Sequence, residues 1–207
     1  RQRQMCIRDS SLICGYGDAG SKLVDAMRRR MLTTTVIEIR QERVDVLILS
    51  DSEIAVPAMC GDAGIPDNLM LAGISHPMCR NVVALTDDNA INLHIAITAK
   101  VLNPDVTVIS RASAYDIEAN MASFGTEHII DPFDSFARDL GLATYAPYQF
   151  LLSLWLHSEP GDLLREAQRV PEGKWIICGY GRFGQAIHKE MVNQDLSVQI
   201  VEPDAEL

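Results

Sequence analysis

The sequence predicts an α/β fold with a doubly wound parallel six-stranded sheet, followed by the truncated start of a second copy. Two observations support this. From residue 11 onwards, short apolar and β-branched runs alternate with helical segments, which is the pattern of βαβ units and parallel sheets. The pentapeptide Ile-Cys-Gly-Tyr-Gly at 13–17 recurs at 177–181, 164 residues further on. The fold class is therefore Rossmann-like, with an internal repeat about one domain long.

Six strands and five crossover helices can be assigned in chain order. We expect the strands at 11–14, 34–39, 55–60, 81–86, 106–110 and 128–130. The helices are expected at 19–31, 41–50, 67–72, 89–102 and 116–124. The segment 41–50 is ambiguous, because Val44, Val46 and Ile48 alternate as they would in a strand. Parallel neighbours need a crossover of about a dozen residues, usually helical, so we predict a helix there.

Four regions follow from this assignment. Residues 1–10 share no pattern with the rest and are expected to be an extraneous or disordered tail, before a first domain at 11–132. Residues 133–173 are expected to form a crossover or dimerisation helix and a linker, and 174–207 the start of the second domain. Tyr148, Leu151, Leu152 and Trp155 lie at helical spacing, either as ordinary core or as a surface that covers a partner subunit. Pro/Gly clusters at 159–161 and 171–173 mark the linker.

The composition of the chain disfavours nucleic acid as a partner, a membrane span and disulfide bonds. The net charge is −10, so the surface as a whole repels phosphate backbones and nucleic acid is disfavoured. The longest apolar run, 150–156, is far shorter than the roughly 20 residues of a spanning helix. The five cysteines form no CxxC pair, which favours reduced thiols.

A Gly-x-Gly-x-x-Gly loop at 15–20 lies between a predicted strand and a predicted helix. In this arrangement the first glycine makes the tight turn, the second admits a phosphate-bearing ligand, and the third allows close helix packing. The helix N-terminus offers free N–H groups to the phosphates. The loop therefore predicts nucleotide binding.

A strand-end acid strengthens that prediction. Glu38 follows Gly15 by 23 residues, and Glu202 follows Gly179 at the same spacing. A carboxylate there can accept both hydroxyls of an adenosine ribose and would repel the 2′-phosphate of NADP. A solvated acid at a strand end is the alternative for either residue.

The two glycine loops differ at one charged position. The second copy has Arg182 where the first has Asp18. Arginine pairs with phosphate whereas aspartate repels it, so we expect the second site to favour a polyphosphate and the first to bind more weakly or to prefer a dinucleotide. Alternatively, Asp18 simply caps its helix.

No catalytic apparatus or metal site is predicted. The chain has no Tyr-x-x-x-Lys pair, HExxH, Gly-x-Ser-x-Gly elbow or Walker loop, and its five histidines are scattered singly. The pairs Asp87-Asp88 and Asp131/Asp134 suggest metal ligands, but we expect Asp87 to contact the ligand or to cap the next helix.

These motifs together resemble the regulator-of-potassium-conductance family, whose nucleotide-binding domains are called TrkA-N or KTN. The residues that carry the resemblance are the GYGRFG loop at 179–184 with Glu202, Gly61-Asp62-Ala63, Thr86-Asp87-Asp88, Asn103-Pro104-Asp105 and Arg111. The resemblance covers residues 11–207, and the first loop departs from it at Asp18 and Ala19. It implies NAD(H) or ATP/ADP as the ligand, with the 61–63 turn near the adenine and Thr86 further along.

The predicted ligand-binding residues belong to both copies. They are Gly15, Tyr16, Gly17, Asp18, Ala19, Gly20, Glu38, Gly61, Asp62, Ala63, Thr86 and Arg111 in the first, and Gly179, Gly181, Arg182, Phe183, Gly184 and Glu202 in the second.

The resemblance also implies a function and an assembly. We expect a non-catalytic sensor that forms homodimers in a ring, at the cytoplasmic face of the membrane, beneath a potassium channel pore or a Trk-type membrane subunit. The alternative is an NAD-dependent oxidoreductase whose catalytic domain lies outside this sequence, since fold alone does not fix function.

Overall fold

The computed structural model describes residues 10–50, 54–158, 163 and 173–203. Two compact units divide the chain at Ile130 and Asp131. Most of the predicted tail, the cluster at 159–161 and two residues of the cluster at 171–173 lie outside the described residues.

The first unit contains a six-stranded parallel sheet. Its strands are β1 Ser10–Cys14, β2 Thr33–Glu38, β3 Ala58–Cys60, β4 Cys79–Ala84, β5 Thr107–Arg111 and β6 His128–Ile130. Their order is β3-β2-β1-β4-β5-β6, and every neighbouring pair is parallel. This order confirms the predicted doubly wound fold and places the switch point between β1 and β4, where such sheets bind ligands.

Five helices make the crossovers of this sheet. They are α1 Asp18–Arg29, α2 Gln41–Leu49, α3 Pro66–Leu71, α4 Asn89–Leu102 and α5 Tyr115–Ser123. The ambiguous segment is helical as predicted, because Val44 and Leu47 are buried while Val46 and Ile48 are exposed. Strand β3 is shorter than the predicted 55–60. Pro57, which precedes it, has no N–H to donate to the sheet.

Both faces of the sheet are buried. On β1, Leu12 and Cys14 belong to one apolar cluster and Ile13 belongs to the other, as the two-residue period of a strand requires. Burial raises the pKa of the Cys14 thiol to about 12 and also raises that of Cys79. Both thiols are therefore protonated and unreactive at neutral pH.

The second unit contains three helices and a pair of parallel strands. They are α6 Pro132–Tyr145, α7 Pro147–His157, β7 Trp175–Cys178, α8 Arg182–Asn193 and β8 Val198–Val201. Within the segment 133–173, where we expect one helix and a linker, the structure has two helices, because the chain breaks at Ala146 (φ −135°, ψ 60°). Proline disfavours the helical conformation of the residue before it, and Pro147 begins the second helix.

The aromatic surface lies on α7. Tyr148, Leu152 and Trp155 are 71%, 54% and 53% exposed, and none of the residues of this helix is buried. Ordinary core packing within the unit therefore does not account for this helix, and its role as a subunit contact remains a prediction. Within the described residues, no helix is long and apolar enough to cross a bilayer.

Candidate functional site

The glycine loop of the first unit is shaped by two close backbone contacts. Gly15 ends β1 with φ +102°, and a Cβ there would lie 3.0 Å from the backbone of Leu85. A Cβ on Gly20 would lie 2.1 Å from the Gly15 carbonyl oxygen. These two glycines are therefore required by the packing of the turn. At Gly17, by contrast, a Cβ would meet only Arg43, at an ordinary 3.5 Å.

Glu38 is a buried carboxylate held in a fixed position. Its side chain, 4% exposed, accepts hydrogen bonds from the Tyr16 N–H (2.6 Å) and the Arg40 N–H (3.0 Å). An ionised carboxylate has about four acceptor positions, so this one retains capacity for two further donors. The solvated-acid alternative is thereby removed for Glu38. Tyr16 contributes through its backbone, while burial, followed by the charge of Asp25, raises the pKa of its phenol.

The turn after β3 lines the same cleft as Glu38. Gly61 donates its N–H to the Glu38 carbonyl at 3.0 Å. The Asp62 side chain accepts from the Gly64 N–H at 2.8 Å, and Asn68 donates to the Asp62 carbonyl at 2.8 Å. The Gly-Asp-Ala turn is therefore rigid and tied to the strand that carries the acid.

Asn92 of α4 fastens the ends of β4 and β5 together. Its Oδ1 accepts from the Thr86 N–H (2.9 Å) and the Thr86 hydroxyl (2.7 Å). Its Nδ2 donates to the carbonyls of Thr86 (3.0 Å) and Arg111 (3.1 Å). Sequence reasoning missed Asn92, because a single asparagine among several polar residues of a helix gives no signal of its role. Its burial and four hydrogen bonds make it a positioning residue.

The two aspartates after β4 have separate roles. Asp88 caps α4 by accepting from the N–H groups of Ala90 and Ile91. Asp87 instead pairs with Arg111 at 3.2 Å. The capping alternative for Asp87 is therefore wrong, because the cap is its neighbour, and contact of Asp87 with the ligand stays a prediction. Asp131 likewise caps α6.

The predicted residues of the first copy converge on the switch point. One cleft of about 210 Å³ is lined by seven of them, namely Gly15, Gly17, Glu38, Gly61, Asp62, Ala63 and Thr86. An adjoining hollow is lined by Gly17, Asp18, Ala19 and Arg111. The sequence had not identified Arg43, which lines both spaces. Tyr16 and Gly20 line neither and serve the turn itself.

Asp18 lies in the first turn of α1. The N-cap of this helix is Gly17, which makes no side-chain capping bond. Asp18 is exposed and is not the cap, so the capping alternative is wrong. Its carboxylate faces the same hollow as Arg43, Asp87 and Arg111.

The second copy repeats the turn geometry. Gly179 has φ +98°, and a Cβ on Gly184 would lie 2.1 Å from the Gly179 carbonyl oxygen. Glu202 accepts the N–H of Tyr180, as Glu38 accepts that of Tyr16. The backbone of the loop is therefore the same in both copies.

The charged and aromatic residues of the second loop contact α6. The Arg182 guanidinium lies 5.4 Å from the centre of the Phe133 ring. The Phe183 ring lies 5.7 Å from that of Phe133 and 5.0 Å from that of Phe136. This dipeptide thus has a packing role within the second unit. Among the described residues, none has a heavy atom within 4 Å of the Cβ position of Gly181, the remaining predicted residue of the loop.

The first unit is accordingly a Rossmann-like domain. Its dinucleotide-type glycine turn and its strand-end acid lie together at the switch point. More specifically, the chain belongs to the TrkA-N domain family, whose model matches residues 11–132.

Two relatives are transport proteins by name. The chain is 30% identical over 131 residues to the putative cation/proton antiporter YbaL of Escherichia coli, covering 63% of this chain and 22% of YbaL. It is 21% identical over 122 residues to potassium channel protein 1 of Methanocaldococcus jannaschii, covering 59% and 35% respectively. The chain thus spans about a fifth to a third of the length of these relatives.

Solved structures share the fold. The TrkA-N domain of E. coli YbaL superposes with a TM-score of 0.59 at 26% identity, covering 66% of this chain and 96% of that one. The GsuK channel bound to NAD gives 0.69 at 12% identity, covering 97% and 50%, and GsuK bound to ADP gives 0.66 at 15%, covering 95% and 44%. An AMP-bound Kef C-terminal domain of Shewanella denitrificans gives 0.53 at 20%, covering 73% and 83%.

Proposed function

We propose that this chain is a nucleotide-sensing regulatory part of a potassium channel or a related cation transport system. The observation that carries the proposal is the buried Glu38 carboxylate, fixed by two backbone N–H groups in the same cleft as the glycine turn. A dinucleotide-type site needs this combination, since one group holds the ribose and the other admits the phosphates.

The cleft suggests how an adenine nucleotide is held. The ribose hydroxyls donate to Glu38, and the adenine lies toward the turn at 61–63. The phosphates approach Gly17 and the N-terminus of α1, where free N–H groups and the helix dipole favour negative charge. Glu38 disfavours NADP, whose 2′-phosphate would approach its carboxylate. NAD(H), ATP and ADP remain the candidates.

The relatives favour these ligands and a transport partner. YbaL and potassium channel protein 1 are named for cation transport, and the GsuK and Kef structures carry NAD, ADP and AMP. We therefore infer a cytoplasmic location at the inner face of the membrane, beneath a pore or transporter subunit. The exposed aromatic face of α7 is a candidate for the contact within a homodimer, and dimers would assemble into a ring.

Regulation then requires a ligand that distinguishes two states of the assembly. A nucleotide biases a pore only by as much as its affinities for the two states differ. The first unit binds the ligand without turning it over, and its site residues in this scheme have binding roles alone.

Calorimetric titration of the chain with NAD, NADH, ATP, ADP and NADP tests the proposal, using Gly17→Ala as the diagnostic variant. The fold has room for this methyl group, which would lie 3.5 Å from Arg43. A phosphate that must approach the backbone at Gly17 has no such room. We expect at least a tenfold loss of affinity, while NADP binds weakly to both proteins.

Gly181→Ala is the matched control, because it adds the same methyl group at the corresponding loop position of the second copy. Binding at the first cleft should be unchanged in this variant. The proposal is refuted if the unsubstituted chain binds none of the nucleotides, or if Gly17→Ala binds them as tightly as the unsubstituted chain does.

A further inference from the structure

The phosphate end of the first cleft contains an unusual set of charges. Two carboxylates, Asp18 and Asp87, face the hollow beside the glycine turn together with two guanidinium groups, Arg43 and Arg111. Arg111 is already engaged by Asp87 at 3.2 Å. The loop itself supplies a negative charge, so any cation for a phosphate must come from another element.

Arg43 is placed for that role by α2. Its N–H donates to the Arg40 carbonyl in the first turn, while Val44 and Leu47 hold the helix against the core. Its Nη1 lies 3.9 Å from the Glu38 Oε2 and 3.5 Å from the Cβ position of Gly17. The separation from Glu38 is too long for a hydrogen bond, so this ion pair is weak and the guanidinium is available to a stronger acceptor.

The internal repeat supplies an independent argument. At the gap-free offset that aligns Glu38 with Glu202, Asp18 corresponds to Arg182 and Arg43 corresponds to Leu207. The first copy thus has an acid in the loop and an arginine on the following helix segment. The second copy has an arginine in the loop and an apolar residue at the other position. Each copy has an arginine at one of the two positions.

We propose that Arg43 is the specificity-determining residue that binds the ligand phosphate in the first site, in place of a loop arginine. The inference rests on the proposed nucleotide-binding function. A guanidinium on α2 approaches the phosphate from the Glu38 side of the turn, so a single side chain spans the ribose and phosphate subsites. Because Asp18 and Asp87 remain nearby, the site favours ligands with few phosphate charges, such as a dinucleotide, over a triphosphate.

The test compares adenosine, ADP and NAD as calorimetric ligands for the full chain and four variants. Arg43→Gln should weaken ADP and NAD binding at least tenfold and leave adenosine binding unchanged. Asp18→Arg in the Arg43→Gln background should restore most of the lost affinity. Asp18→Arg alone should tighten ADP binding. Arg30→Gln is the matched control, since it removes one positive charge at the other end of α1 and should change nothing.

Two results would overturn the inference while leaving the proposed function intact. Equal affinity of Arg43→Gln and the unsubstituted chain for ADP and NAD would exclude a phosphate contact. An equal loss for adenosine would show that Arg43 acts only by orienting Glu38. If the unsubstituted chain binds none of the three ligands, the proposed function fails and the inference fails with it, which is a distinct outcome. Circular dichroism melting of each variant verifies that differences in affinity do not arise from unfolding.

Discussion

The contact between Gly20 and the Gly15 carbonyl leads to a prediction that distinguishes a glycine needed for stability from a glycine needed for ligand binding. In an exposed helical position, alanine is more favourable than glycine by about 1 kcal/mol. At Gly20 we expect alanine to be less favourable than glycine, because the added Cβ would lie 2.1 Å from the Gly15 carbonyl oxygen and 3.1 Å from the carbonyl carbon. Close carbon–oxygen contacts in proteins are about 3.3 Å or longer, so α1 and β1 must separate by roughly 1 Å.

The loss of stability expected for Gly20→Ala follows from the packing of α1 against the core. Val24 of this helix is fully buried in the cluster that contains Ile13 and Val36. Overpacking of a tight core costs about 1–3 kcal/mol. The obstructing atoms here belong to backbone rather than to a flexible side chain, so we expect Gly20→Ala to lower the free energy of unfolding by about 3 kcal/mol or more. Gly17→Ala should change it by less than about 1 kcal/mol.

Urea denaturation, followed by circular dichroism, measures the free energy of unfolding of both variants. Hydrogen exchange at the β1 amides assigns the loss of stability to the first unit. Exchange should accelerate in Gly20→Ala and stay unchanged in Gly17→Ala. If Gly20→Ala were as stable as the unsubstituted chain, the close approach of helix and turn would be disproved.

Two further predictions concern the support of the site. Asp88→Ala removes the N-cap of α4 and should cost about 1 kcal/mol in urea denaturation, whereas an unchanged midpoint would show that the cap is dispensable. Burial opposes ionisation of Glu127, but hydrogen bonds from Lys100 and from the Val108 N–H outweigh it and lower its pKa. Its stabilising effect is therefore present above the unfolded-state pKa of about 4.3 and is lost as the pH falls through the lower folded-state value. The stability difference between the unsubstituted chain and Glu127→Gln should be constant from pH 7 to 5.5 and shrink below pH 4, and a difference independent of pH would contradict this assignment.

The sequence predicted the sheet and the glycine turn because their signals are local. Alternating strands and helices, a loop of three glycines and an acid at fixed spacing can all be recognised within about 30 residues. The break at Ala146 is locally encoded too, because Pro147 disfavours the helical conformation of the residue before it.

The residues that sequence reasoning missed act across elements. Asn92 joins the ends of two strands from a helix, and Arg43 reaches the glycine turn from a different crossover. Neither has a spacing that indicates its role, since helix packing brings each to the switch point. The capping alternative for Asp18 fails because α1 starts one residue earlier than predicted, which makes Gly17 the cap.

The two loops show which parts of the motif serve the turn. The third glycine of each loop has the same close contact with the first, 2.1 Å in both copies, and the acids accept the equivalent backbone N–H. The dipeptide between the second and third glycines differs completely. In the second unit Arg182 and Phe183 pack on Phe133 and Phe136 of α6, whereas Asp18 and Ala19 are exposed.

The turn therefore forms with either dipeptide, so an Arg-Phe pair is not needed for the turn and is explained in the second unit by an aromatic neighbour. The loop dipeptide alone is therefore not sufficient to decide whether a copy binds phosphate, because a loop arginine can serve packing as well as a phosphate contact. The stronger indicators are the glycine that no protein contact requires, Gly17, and the buried carboxylate of Glu38 beside it. By this argument the first copy retains the requirements of a nucleotide site despite its unusual loop.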